Sequence, residues 1–231
     1  MRDRLVGGAA ITVETWAIDP IEVDAERILR IHRYREPDRV RPVIRRIAER
    51  AAADIAILTR PEACYRRMRI CRNEAGMLDL EGRLEPEVGK VRFTCAAFPR
   101  LLAGCGEAIV FVLTLGPRLD QAVAERIAAD QPVDALFLEA AGWLAVERAT
   151  RRLAADLNRA IAAEGLGVTF RMGPGYDYRL ENGTRERWEL AEQAALFAVF
   201  GNVPLPVVLR DSSVMQPKMS RSGLFAVARR R

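Results

Sequence analysis

The stretch Glu107-Ala108-Ile109-Val110-Phe111-Val112-Leu113-Thr114-Leu115-Gly116-Pro117 decides the fold class. Its apolar residues run on without alternation, and four of them, Ile109 to Val112, are β-branched aliphatics or aromatics in a row. A strand that is apolar at consecutive positions must be covered on both faces, so this segment predicts a central, doubly buried strand. Gly116-Pro117 stops it. Leu119, Val123, Ile127 and Ala128 then recur at helical spacing, and Asp130-Gln131-Pro132 breaks that helix. A long helix is predicted from about Val133 to Glu164, ended by Gly165.

Working outward, Asp24 reads as an N-cap with Ile28, Leu29 and Ile31 following on one face. Arg41-Pro42 opens a second helix with proline in its first turn. Val43, Ile44, Ile47, Ala48, Ala51 and Ile55 form its apolar stripe. Between residues 62 and 96 the apolar residues sit among charges with short glycine-containing breaks, the pattern of strands and hairpins. After the long helix, Val168 and Phe170 read as a short strand. Asn182-Gly183 reads as a turn, Trp188 to Phe200 as a helix stopped by Gly201-Asn202, and Val207–Leu209 and Leu224–Val227 as strands. The sum is an α+β fold with a mixed or antiparallel sheet flanked by helices.

Half of the 231 residues are hydrophobic, enough for a sizeable core. No unbroken apolar run reaches the roughly 18 residues of a membrane span, and Met1 to Leu5 lack the apolar core of a secretory signal. The expectation is a cytoplasmic protein without membrane association. The net charge is +5, but Lys90 and Lys218 are the only lysines, and the arginines are interspersed with acids. No aromatic-plus-basic stacking pattern accompanies the charge, so no nucleic-acid partner is expected. Arg229 to Arg231 read as a frayed tail. Cys64, Cys71, Cys95 and Cys105 lack metal-ligand spacing and read as reduced, mostly buried thiols. His32 is the only histidine and reads as a boundary residue beside Tyr34, with no triad partners near it and no metal site implied.

Two features carry chemistry. The first is Arg171-Met172-Gly173-Pro174-Gly175-Tyr176. Gly-Pro-Gly makes a stiff, irregular loop in which backbone approaches a ligand closely. Arg171 puts a planar cationic fork at one end, suited to a carboxylate, and Tyr176 an aromatic with a polar tip at the other. The second is Glu147, which shares a helical row with Leu136, Ala140, Trp143, Leu144, Thr150 and Ala154. A carboxylate on such a face is either ion-paired with an arginine or held for a ligand. Glu139 falls off that row. Ser220 and Ser222 read either as turn residues or as ligand or partner contacts, and Met215, Met219 and Leu224 either as core, the commoner case, or as an adaptable partner surface.

The loop resembles the Arg-x-x-x-Gly-Tyr signature of the activation domain of vitamin B12-dependent methionine synthase. Leu138 to Ala141 and Leu144 to Glu147 resemble the long helix of that domain. Trp188-Glu189-Leu190 and Gln193 to Phe197 follow, and Ser213 to Lys218 with Ser220-Arg221-Ser222-Gly223 resemble the closing segment of stand-alone relatives. The resemblance covers roughly residues 107–227. It implies an activation domain-like fold, with residues 1–105 a helical and hairpin region and 106–231 the region binding S-adenosylmethionine (AdoMet), together one compact unit. It further implies AdoMet binding by Glu147, Arg171, Gly173, Pro174, Gly175 and Tyr176, with Ser220 and Ser222 as further contacts. No residue acts as a general base, because a sulfonium is already an activated methyl donor. Cobalamin belongs to a partner, a corrinoid-binding protein or methionine synthase core, with an external flavodoxin-like or ferredoxin-like electron donor. Two departures stand out. Gly165-Leu166-Gly167 occupies the position before the loop where the family carries acidic residues, and Asp177 to Arg187 are highly charged. They keep open an alternative, a non-catalytic subunit that docks on a corrinoid protein with a degraded AdoMet site.

Overall fold

The structure, a computed structural model, describes residues 12–83 and 90–230; the expectations for Met1 to Leu5 and for Arg231 lie outside the described residues. In chain order the elements are β1 (Glu14–Ala17), α1 (Ala25–Ile31), α2 (Pro42–Leu58), β2 (Glu62–Glu74), β3 (Met77–Gly82) and β4 (Val91–Thr94). There follow α3 (Phe98–Leu101), β5 (Glu107–Thr114), α4 (Arg118–Ala128), α5 (Pro132–Ala160) and β6 (Leu166–Met172). The last are β7 (Asp177–Arg179), β8 (Arg185–Arg187), α6 (Gln193–Ala198), β9 (Val208–Leu209), β10 (Met215–Gln216) and β11 (Ser220–Arg229).

β5 is the axis of a seven-stranded sheet in the order β4-β3-β2-β5-β11-β6, with β1 on the free flank of the first residues of β2. Every pairing between described strands is antiparallel. The apolar run of β5 is buried on both faces. Ile109, Phe111 and Leu113 point into a core shared with α1, α2, α4 and α5. Ala108, Val110 and Val112 point into a second core closed by Phe98, Trp188, Leu196 and Phe200. Alternation along one strand thus feeds two layers. Phe111 stacks on Phe225 of β11, centroids 4.8 Å apart. In the second core Trp188 meets Phe93 and Phe98 edge to face at 5.2 and 5.1 Å.

The helix starts follow their local chemistry. Asp24 accepts the Glu26 amide at 2.9 Å, and α2 and α5 both open on proline. The long helix is shorter than its periodicity predicts. It ends at Ala160 because Ile161 turns into the core, and a separate 3₁₀ turn, Ala162–Glu164, leads to the left-handed Gly165. The predicted helix from Trp188 is likewise reduced to a 3₁₀ turn, Leu190–Glu192, and α6. Trp188 itself is a fully buried residue outside any helix, whose amide donates to the Tyr176 carbonyl. Ser220 to Gly223 are strand rather than turn, and form the start of β11. Arg230 is tied down rather than frayed, its amide donating to the Gly165 carbonyl and its guanidinium to the Asn158 carbonyl. Of the four free thiols Cys64 and Cys95 are buried and Cys71 is exposed. His32 is half-buried and stacks on Phe137 at 4.2 Å. No helix of the described residues is long and apolar enough to cross a membrane.

Candidate functional site

The chemistry-bearing residues gather where α5 overhangs β6 and β11. A cleft of about 600 Å³ opens there, lined by residues of three kinds. Trp143, Glu147, Thr150, Arg151 and Ala154 come from α5. Thr169, Phe170, Arg171 and Tyr176 come from β6 and the loop after it, and Arg221 and Phe225 from β11. The row through Glu147 is therefore not a core face. Ala140, Leu144 and Thr150 are buried, but Leu136 and Trp143 are about half exposed, 53% and 51%. The packed stripe of α5 runs instead through Leu138, Ala141, Ala145, Ala149 and Leu153, and the Glu147 row lies on its flank.

A bulge explains how three consecutive residues of β6 reach one cleft. In a regular strand Thr169 and Arg171 would share a face and Phe170 the opposite one. The register with β11 slips between Phe225 and Val227, and the Ala226 amide is taken by the Thr169 hydroxyl at 3.1 Å. Freed from the alternation, Phe170 turns outward and is 55% exposed.

Arg171 lies over the Tyr176 ring, guanidinium carbon 4.3 Å from the centroid, and donates one N–H to the Ser222 carbonyl at 3.1 Å. Among the described residues no carboxylate pairs with it. Its remaining donors are available to a planar anion. Glu147 is engaged, 2.5 Å from Arg221 and 3.3 Å from Arg151. Of the two readings its position allows, the ion pair is present in the structure. Glu139 pairs with Lys218, away from the cleft lining.

Gly173, Pro174 and Gly175 do not line the cleft; they shape the turn that carries the chain from Arg171 back to Tyr176. Gly173 and Pro174 are buried. The Gly173 amide donates to the Tyr178 hydroxyl at 2.7 Å, and that hydroxyl donates to the Gly173 carbonyl at 3.1 Å. Burial holds the Tyr178 phenol above its ordinary pKa, so it stays a donor. Gly175 takes φ +85°, which only glycine adopts cheaply, and its amide donates to the Trp188 carbonyl at 2.6 Å. The charged segment after Tyr176 is the β7–β8 hairpin, turned at Asn182-Gly183 and pinned by Asp177–Arg187 at 2.8 Å and by Glu186 accepting the Ala96 amide.

Ser220 and Ser222 point away from the cleft. The Ser220 hydroxyl donates to the Pro217 carbonyl at 2.6 Å and lies 2.9 Å from the Thr114 hydroxyl. Ser222 contributes its carbonyl, to Arg171. The residue between them, Arg221, is the one that enters the cleft, and sequence reading missed it. Only once Ser220 to Gly223 is known to be strand does two-residue alternation put Arg221, Gly223 and Phe225 on one face. Gly223 is required where β11 crosses β6, because a Cβ there would lie 2.2 Å from the Met172 carbonyl oxygen. Trp143, Phe170 and Tyr178 were also missed as site residues.

These elements define an α+β fold in which an antiparallel sheet is layered by helices. It is the fold of the MetH reactivation domain. A crystal structure of that domain bound to AdoHcy matches with a TM-score of 0.61 over 94% of this chain and 79% of that one, at 14% sequence identity. No protein-family model matches the chain, and no curated protein matches its sequence.

Proposed function

We propose that this chain is an AdoMet-binding reactivation module for a cobalamin-dependent methyltransferase of the methionine synthase kind, acting as a separate polypeptide. The observation that carries the reading is Arg171. It is a guanidinium stacked on Tyr176, with no carboxylate partner among the described residues, in a cleft that also holds Glu147. The structural neighbour with AdoHcy bound adds support at the level of the fold. AdoMet presents a carboxylate, an ammonium, a sulfonium, two ribose hydroxyls and an adenine, and the cleft residues fit these groups in kind. Arg171 takes the carboxylate as a fork. Glu147 takes the ammonium or the ribose hydroxyls, in exchange for Arg221. Trp143 and Phe170 offer flat apolar surface for the adenine. Gly173, Pro174 and Gly175 fix the turn that sets Tyr176 over Arg171.

The chain's contribution is binding and orientation rather than proton transfer. Cobalamin, held by the corrinoid partner, supplies the reduced metal that accepts the methyl group, and a flavodoxin-like or ferredoxin-like donor supplies the electron. A second reading rests on the Glu147–Arg221 pair, which occupies the carboxylate that a ligand needs. Under it the chain docks on a corrinoid protein and no longer binds AdoMet. Isothermal titration with AdoMet separates the two. Saturable binding, followed by methylation of an added corrinoid protein with a reductant, supports the module; absence of binding refutes it.

A further inference from the structure

The charges lining the cleft do not balance. Arg151, Arg171 and Arg221 face it, and Glu147 is the one acidic residue among the described residues that line it, so three cations against one carboxylate leave two positive charges over. The three guanidinium groups are neighbours. Arg151 and Arg221 share the Glu147 carboxylate, and Arg171 grips the carbonyl of Ser222, the residue next to Arg221. Arg171 uses one donor there and keeps the rest of its fork, and the Arg151 side chain is 69% exposed. In AdoMet an ammonium and a sulfonium outnumber one carboxylate, so that ligand adds to the surplus. The cleft also offers flat apolar surface. Trp143 and Phe170 line it half exposed, and neither stacks on another ring among the described residues. Half-exposed aromatics beside uncompensated guanidinium groups suit a flat ring joined to a concentrated anion. A nucleoside 5′-monophosphate is such a molecule. Its phosphate puts about two negative charges and three acceptor oxygens on one group, which matches the surplus, and its base is the flat ring. A single carboxylate offsets half as much. The volume of about 600 Å³ is in the range that holds ligands of this size.

We propose that the cleft is also a nucleotide site. It takes nucleoside 5′-monophosphates such as AMP, with the phosphate on Arg171 and Arg151 and the base against Trp143 or Phe170, in competition with AdoMet. This goes beyond the AdoMet reading and does not depend on it. Where both ligands bind, occupancy by the nucleotide sets how much of the module is open to AdoMet. Because the attraction comes from partly exposed charges, nucleotide affinity should fall as salt screens the cleft.

The test is titration calorimetry of the full chain with AMP, adenosine, inorganic phosphate and AdoMet at low salt. AMP should bind saturably and roughly 10- to 100-fold more tightly than adenosine, the effect of a charge-assisted contact to its phosphate. It should also bind more tightly than inorganic phosphate, which lacks the ring. Arg171→Gln should weaken AMP by about tenfold or more. Arg151→Gln, at a mostly exposed side chain that folding does not need, should weaken it about two- to fivefold. Circular dichroism checks the fold of each variant. AMP binding no more tightly than adenosine overturns the proposal, as does inorganic phosphate binding as tightly as AMP, or AMP affinity unchanged in both variants. If AMP binds and AdoMet does not, AdoMet recognition falls and the nucleotide site stands. If AdoMet binds and AMP neither binds nor displaces it, the nucleotide site falls and AdoMet recognition stands.

Discussion

Replacing Arg171 by alanine is the most direct way to test the cleft. In the free protein the change removes the stacking on Tyr176 and one hydrogen bond to the Ser222 carbonyl. A cation–π contact at a partly exposed ring contributes about 0.5–1 kcal/mol and a neutral-acceptor hydrogen bond about 1 kcal/mol. The fold should therefore lose about 1–2 kcal/mol, leaving the protein folded. The ligand loses more. A fork-like, charge-assisted pair with a carboxylate is worth about 2–4 kcal/mol when one partner is truncated, which is a drop in AdoMet affinity of roughly 30- to 1000-fold. Arg171→Lys keeps the charge without the fork and should fall between. The assay pairs AdoMet calorimetry with a urea melt of the ligand-free variants. If Arg171→Ala binds AdoMet with unchanged affinity, the guanidinium is a structural prop for the Ser222 carbonyl and the proposed site loses its central residue.

Three further outcomes are expected. Gly175→Val forces a β-branched side chain into φ +85° with its Cβ 3.3 Å from Leu190, so AdoMet affinity should drop sharply while circular dichroism stays native; normal binding would show that the turn does not set Tyr176. Gly223→Ala would drive a Cβ against the Met172 carbonyl and part β11 from β6 beside the cleft. A loss of about 3 kcal/mol in a urea melt with an unchanged slope is expected, and a loss below about 0.5 kcal/mol would refute the crossing as a tight contact. Arg92 holds Asp79, and Arg67 holds Glu164, below the usual carboxylate range. Carboxylates depressed in the folded state contribute stability above about pH 4 and lose it as pH falls through their lowered values, so the melting temperature should decline steadily below pH 4. A flat profile down to pH 2.5 would contradict those pairings.

Much of this fold is legible in the sequence because its cues are local. The run of β5 declares burial on two faces, prolines 42 and 132 mark helix starts, and Asn182-Gly183 marks the β7–β8 turn. What the sequence conceals depends on distant partners. Ser220-Arg221-Ser222-Gly223 carries turn-like residues, and only pairing with Thr114 to Phe111 on one side and crowding by Met172 on the other make it a strand. Trp188 resembles the start of a helix, yet its place is fixed by Phe93 and Phe98, about ninety residues earlier. In the candidate site, Arg171, Tyr176 and Glu147 stand out by residue type and spacing. Arg221 does not, since one arginine among so many carries no signal until the sheet assigns its face.

β11 has a consequence for how the molecule is made. It is the last described strand in chain order, yet it lies between β5 and β6, which precede it by roughly fifty to a hundred residues. While the chain is leaving the ribosome, β5 and β6 therefore have a gap between them the width of one strand. The central sheet cannot close, and Arg221 cannot reach Glu147, until synthesis has passed residue 229. A nascent chain stalled before that point should present two open strand edges to chaperones, and the cleft should come into being only once β11 has been made.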